Sequence, residues 1–192
     1  MIIVYACLVL LLGYLVAPGS RGRRLAETEI RRLWLVWMAF AVQILVISVL
    51  PDLGRVSQAG HLLSYLLAGA FAVANRRLPG AVVVAAGGAS NLAAITANGG
   101  TMPASPSALA ASGWSASPDH FANSAALPDA RLTWLGDVFA TPGWLPVHSV
   151  FSFGDVLIVV GFGVFLHLTL RRPGRSLDDE APSEETAGTH AV

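Results

Sequence analysis

The chain has 192 residues, 54% of them hydrophobic and 12% charged, and its twelve basic and twelve acidic residues balance to a formal net charge of zero. About a quarter of the residues of a soluble domain are charged, so this composition, with a mean hydropathy of +0.62, excludes that class and predicts a membrane protein. Every basic residue is arginine, and the single cysteine, Cys7, has no partner for an internal disulfide.

Five segments are apolar and long enough to cross a bilayer, which takes roughly 17 to 25 residues as helix. In chain order they cover about 2–17, 33–50, 57–74, 80–97 and 150–170. The first has no charge before it and is followed by Arg21, Arg23, Arg24, Arg31 and Arg32. That order is the reverse of a cleavable signal peptide, so the segment is expected to be retained. Arg76 and Arg77 lie between segments three and four, and Arg171, Arg172 and Arg175 follow segment five, whereas Arg55 and Arg131 stand alone in the other two connections. Arginine marks the cytoplasmic side. The expected fold class is therefore all-α, a multi-pass protein of the bacterial plasma membrane with about five transmembrane helices, its N-terminus outside and its C-terminus inside.

That threading puts the long connection, 98–149, on the outer face. It opens NGGTMPASPSALAASGW, where Asn98-Gly99-Gly100 has turn chemistry and Pro106 to Ser112 predicts a short interfacial helix with Ser105 as N-cap. Trp114, Trp134 and Trp144 suit the headgroup level. Beyond Arg175 the tail 176–192 is acidic and poor in large apolar groups, as expected of a solvated cytoplasmic extension.

Ionisable groups inside a span are costly and are functional candidates for that reason. Asp155 lies about 7 Å along segment five at 1.5 Å per residue, near the boundary, and Ser152-Phe153-Gly154-Asp155 has the S-x-x-D form of a capping box. Asp137, in TWLGDVFATPGW, stands eighteen residues earlier on the same expected face. Two readings follow. Held close, the two carboxylates share one proton and form a catalytic pair able to deliver water to a peptide carbonyl. Held apart, Asp155 caps a helix and Asp137 is an exposed turn residue beside Gly136. In segment four, Asn91 and Asn98 fall on one helix face beyond the small residues Gly87 to Ser90 and are candidate supporting groups. His61 and His167 fall at opposite ends of the spans, which argues against a haem, and no residues at metal-ligand spacing accompany His61 and His148. No cofactor and no nucleic-acid partner is expected; the expected partners are membrane lipid and either a membrane-tethered peptide or a partner helix.

At NGGTMPASPSALAASG, LGDVFATPGWLP and VFSFGDVLIVVG the chain resembles a family of small bacterial integral membrane proteins known only as a domain of unknown function, which implies the fold and no activity. GGASNL, LGDVF and FSFGDVLIVVG also stand in the order of the motifs of lipoprotein signal peptidase, a membrane aspartyl protease. This fainter resemblance implies that Asp137 and Asp155 form the catalytic pair and that Asn91 supports it. Ser152 stands where that family has asparagine, the Asp-Arg after its glycines is absent, the connection between Asn91 and Asp137 is much longer, and there is an extra first span. The leading functional expectation is an outer-leaflet aspartyl hydrolase. The alternative is a non-catalytic component that binds a lipid or partner helix through the Gly87 to Asn91 face, with a transporter a weaker third.

Overall fold

A computed structural model describes residues 2–18, 22–46, 54–113, 124–145 and 147–171. Trp114, the tail 176–192, the last residues of segment two (47–50) and Arg21, Arg172 and Arg175 lie outside these described residues. The chain is mostly helical. Helix α1 covers Ile2–Val16, α2 Gly22–Glu27, α3 Trp34–Ile44, α4 Arg55–Ala74, α5 Ala81–Ala97, α6 Pro106–Ser112 and α7 Phe153–Leu170. Of these, α4 and α7 are long and apolar enough to cross a membrane; α1, α3 and α5 are shorter apolar helices.

Consecutive long helices from α3 to α5 reverse direction, and α7 runs against α5. The Ser64 hydroxyl donates to Gln43 Oε1 at 2.7 Å, tying the end of α3 to the middle of α4. Gly100, just beyond α5, packs on Gln58 at the start of α4. The α5–α7 contact is the most extensive in the molecule. It is built on glycine at both ends, because Gly87 meets the Gly154 backbone and Gly161 meets Gly80 and Val84, approaches that leave no room for a Cβ. Helix α1 lies parallel to α7, with Tyr14 Oη 3.2 Å from His167 Nδ1.

Two ends result. Arg23, Arg24, Arg31, Arg32, Arg76, Arg77 and Arg171 gather at one, the arginine end. The other holds the start of α4, the end of α5, the start of α7 and the connection between α5 and α7. The described part of this connection holds strands as well as the one expected helix. Helix α6 forms where expected, with Ser105 Oγ accepting from the Ala108 amide at 3.0 Å and Gly113 closing it in the left-handed region at φ 65°. In addition, β1 (Met102–Pro103) pairs in parallel with β2 (Ser124–Ala125), and β3 (Asp137–Ala140) pairs antiparallel with β4 (Val150–Ser152). Segment five thus begins as a strand and turns helical only at Phe153. The reason is local: Ser152 is in extended conformation as the N-cap, and the residues before it spend their backbone groups on β3.

One buried apolar cluster sits at this second end, where Ala94, Ile95 and Met102 are covered by Leu62, Tyr65 and Leu135, while Leu35, Leu166 and Leu170 are buried toward the arginine end. Elsewhere the helices present large apolar side chains outward: Trp37 is 68% exposed, Leu66 61% and Val82 70%.

Candidate functional site

Asp155 is fixed by the start of its own helix and by α5. Its Oδ2 accepts from the Ser152 amide at 3.0 Å while its own amide donates to Ser152 Oγ at 3.1 Å, which completes the capping box. Its Oδ1 accepts from Asn91 Nδ2 at 2.6 Å, and Ser152 Oγ donates to Asn91 Oδ1 at 2.8 Å. One asparagine therefore bridges both members of the cap, across sixty-odd residues of chain. It can approach only because position 154 is glycine: a Cβ there would overlap Asn91 Oδ1. Asn91 is 2% exposed and Asp155 9%. Donors on both oxygens satisfy the hydrogen-bonding capacity this buried carboxyl would otherwise leave unmet.

Asp137 is not an exposed turn residue; it is 5% exposed. As the first residue of β3 it lies opposite Ser152 in β4, and the register slips between Asp137 and Phe139. Its carbonyl accepts from the Ser105 amide at 3.0 Å, so the cap of α6 is anchored on it, and its Oδ2 accepts from the Ser124 hydroxyl. Burial raises the Asp137 carboxyl, the Ser124 bond lowers it, and the negative charge of Asp155 raises it again, with the result pushed up to about 6. The strand pairing thus brings the two aspartates into one another's field with unlike surroundings. Asp155 has two donors and Asp137 has burial and a single hydroxyl among the described residues. Phe139, stacked on Phe151 with centroids 5.3 Å apart and edge-on to Phe153 at 4.7 Å, gives β3 and β4 an apolar cover.

Asn98 is not part of this network. Its Nδ2 donates to the Ala94 carbonyl at 2.7 Å and the Arg131 carbonyl at 2.8 Å, and its Oδ1 accepts from the Arg131 amide at 2.8 Å. It closes α5 and pins the connection. The pairing of Asn91 and Asn98 on one face fails because Asn98 is the C-cap, where the helical turn ends. Gly87 and Asn91 both face α7, so the chain's own last helix fills the face considered for a partner helix.

Tyr65 is the site residue that sequence reasoning missed. It sits beside Asn91 and within the field of both carboxylates, and its ring meets His61 edge-on at 5.4 Å. The signal was available, because Ser57, His61 and Ser64 form a polar stripe at helical spacing on an otherwise apolar α4, and all three are buried. His148 is exposed. Among the described residues no group of three His, Cys, Asp or Glu is placed to hold a metal ion.

Neither the curated proteins nor the solved structures contain a match to this chain. One family does match, over residues 27–168, a stretch that includes Tyr65, Asn91, Asp137 and Asp155 and leaves out α1; the chain belongs to that family, a family of unknown function (DUF5317).

Proposed function

We propose that this is a multi-pass plasma-membrane protein with five spans and its N-terminus outside, and that its aspartate end is an outer-leaflet hydrolase site acting on a membrane-tethered peptide. Three features support the membrane reading. The helix faces expose large apolar side chains that water would not tolerate in such number. Only 17% and 22% of the apolar windows of α4 and α7 are buried inside the molecule, unlike the core helices of a soluble protein. Seven of the nine described arginines collect at one end, which the positive-inside rule makes cytoplasmic. Helix α5, 17 residues or about 25 Å long, spans a bilayer with slight local thinning.

The observation that carries the chemistry is the pair of buried carboxylates in unlike surroundings, Asp155 held by donors on both oxygens and Asp137 pushed up to about 6 by burial. Each carboxylate oxygen has two lone pairs, so Asp155 can still accept from a water while bound to Asn91 and Ser152. In the proposed step Asp155 takes the proton of that water as its oxygen attacks the peptide carbonyl, and protonated Asp137 donates to the carbonyl oxygen. Asn91 holds Asp155 and Ser124 holds Asp137, while Tyr65 lies beside Asn91. The completed capping box favours a second reading, in which Asp155 only starts α7 and the protein is a non-catalytic lipid-binding component.

Reconstituted vesicles carrying lipid-anchored peptides separate the two. Cleavage by the wild type, its loss in Asp137→Asn and in Asp155→Asn, and no further loss in the double variant are the results expected of a pair acting as a unit. Cleavage that survives either single substitution would sink the hydrolase reading. Reporters fused after Leu170 and between Ala104 and Ala130 are expected to read cytoplasmic and extracytoplasmic respectively; the opposite result would reverse the threading.

A further inference from the structure

The arginine end has a pocket of its own, apart from the carboxylates, of about 180 Å³ and lined by Arg31, Arg76, Arg77, Asn75, Glu29 and Leu78 among others. Its floor is built rather than accidental. Asn75 closes α4, is 5% exposed, and grips the backbone of Arg31 from both sides: Oδ1 accepts from the Arg31 amide at 2.8 Å and Nδ2 donates to the Arg31 carbonyl at 2.8 Å. The turn before α3 then passes Arg32 through the left-handed region at φ 55°. Two separate stretches of chain bring Arg31 and the pair Arg76 and Arg77 to one small space, and Asn75 ties those stretches together. Glu29 is the carboxylate in the lining, which leaves the pocket with an excess of two positive charges. Among the described residues none of the three arginines is ion-paired; the ion pair they contain is Arg23 with Glu27. Three arginines against one carboxylate, around a space of about 180 Å³, suit a phosphate-sized anion in charge and size.

We propose that this pocket binds the phosphate of an anionic phospholipid of the inner leaflet. The choice of a lipid over a soluble anion rests on the membrane reading above, though not on the hydrolase chemistry. It follows from position, since Leu78 lines the pocket and Val73, two residues before Asn75, is 63% exposed on the apolar face of α4, where an acyl chain would continue from a headgroup held by the arginines.

The test uses the full chain purified in a neutral detergent and titrated with phosphatidylglycerol, phosphatidylcholine or inorganic phosphate, with bound lipid counted by native mass spectrometry. Phosphatidylglycerol is expected to be retained over phosphatidylcholine. Arg76→Gln and Arg77→Gln should each weaken it roughly fivefold, the worth of one basic group at an anionic surface, while Arg55→Gln at the opposite end changes nothing. All three side chains are exposed, so the variants fold. Equal retention of the two lipids, or equal weakening by Arg55→Gln, would overturn the site. Complete displacement of phosphatidylglycerol by millimolar inorganic phosphate would overturn the lipid and leave a soluble-anion site. Because the titration has no sidedness, threading reporters that came out reversed would overturn only the assignment to the inner leaflet.

Discussion

The two ends of the molecule are closed by the same device and present unlike side chains. Asn75 ends α4 and Asn98 ends α5; each donates to the carbonyl four residues back and pairs both faces of its amide with the backbone of a distant arginine, Arg31 in one case and Arg131 in the other. At the arginine end the clamp leaves the side chains of Arg31, Arg76 and Arg77 exposed and without a carboxylate ion pair among the described residues. At the aspartate end the polar groups are drawn inward, and Asp137, Ser152, Asn91 and Asp155 are all buried. The backbone solution does not dictate the chemistry built on it. What differs is the approach of α7, whose Gly154 lets Asn91 reach through to Ser152 and Asp155.

If that approach is what makes the aspartate end, then filling it should have the largest effect in the molecule. A Cβ on Gly154 would overlap Asn91 Oδ1 and stand 2.6 Å from the Gly87 carbonyl oxygen, and neither neighbour is a flexible side-chain end free to move. Gly154→Ala is expected to cost about 3 kcal/mol or to force α5 and α7 apart. Gly163→Ala on the same helix meets only Leu10 Cδ1 at 3.9 Å and should leave stability unchanged or slightly raised. Thermal unfolding of both variants in detergent checks the contrast; equal melting temperatures would show that the α5–α7 contact is not close-packed at the site.

The second effect is electrostatic and is confined to the aspartate end. Asp137 has a folded value of about 6 against an ordinary 3.8. A carboxyl raised on folding favours the protonated fold, so its contribution is fully present below about pH 4, is lost as pH rises through 6, and stays lost above. Stability should therefore fall by on the order of 2 to 3 kcal/mol between pH 4 and 6.5. Asp137→Asn, which keeps an oxygen for Ser124, should flatten that profile and be the more stable protein at pH 7.5. A variant whose pH profile matched the wild type would show that Asp137 carries no stored ionisation cost.

The sequence made the sequence-local features of this end legible and left the long-range ones open. The S-x-x-D box at Ser152 to Asp155 and the Ser105 cap of α6 were readable because each is decided within three residues by the backbone donors of a helix start. The ends of α1, α4 and α5 lie within two residues of the ends of the matching apolar segments, whereas α3 ends at Ile44 inside segment two, whose last residues lie outside the described ones, and segment five gives its first three residues to β4. Hydropathy does not distinguish an apolar strand of that length from a helix turn. Whether Asp137 and Asp155 share a field was not readable, because it depends on β3 pairing with β4 and on Ser124 arriving from β2. Nor was the separation of Asn91 from Asn98: a spacing of seven puts them on one face only while the helix lasts, and it ends at Asn98.

The smallest effects compare the two clamps directly. Removing Asn75 takes away three hydrogen bonds at a site 5% exposed and strands the Arg31 amide and carbonyl, so Asn75→Ala should cost about 2 kcal/mol. Asn98 makes the same three bonds but is only half-buried, and water can replace its amide at the Arg131 backbone, so Asn98→Ala should cost about 1 kcal/mol. The functional consequences should divide in the same way. Asn75→Ala loosens Arg31 from the partner arginines and should weaken phosphatidylglycerol retention without touching peptide cleavage. Asn98→Ala, which contacts neither carboxylate, should leave both unchanged. Denaturant unfolding in mild detergent gives the two stabilities, and the vesicle and lipid assays give the rest. Loss of cleavage in Asn98→Ala would mean that the clamp on Arg131 governs the placement of Asp137 six residues on, making the pinned connection part of the site rather than its support.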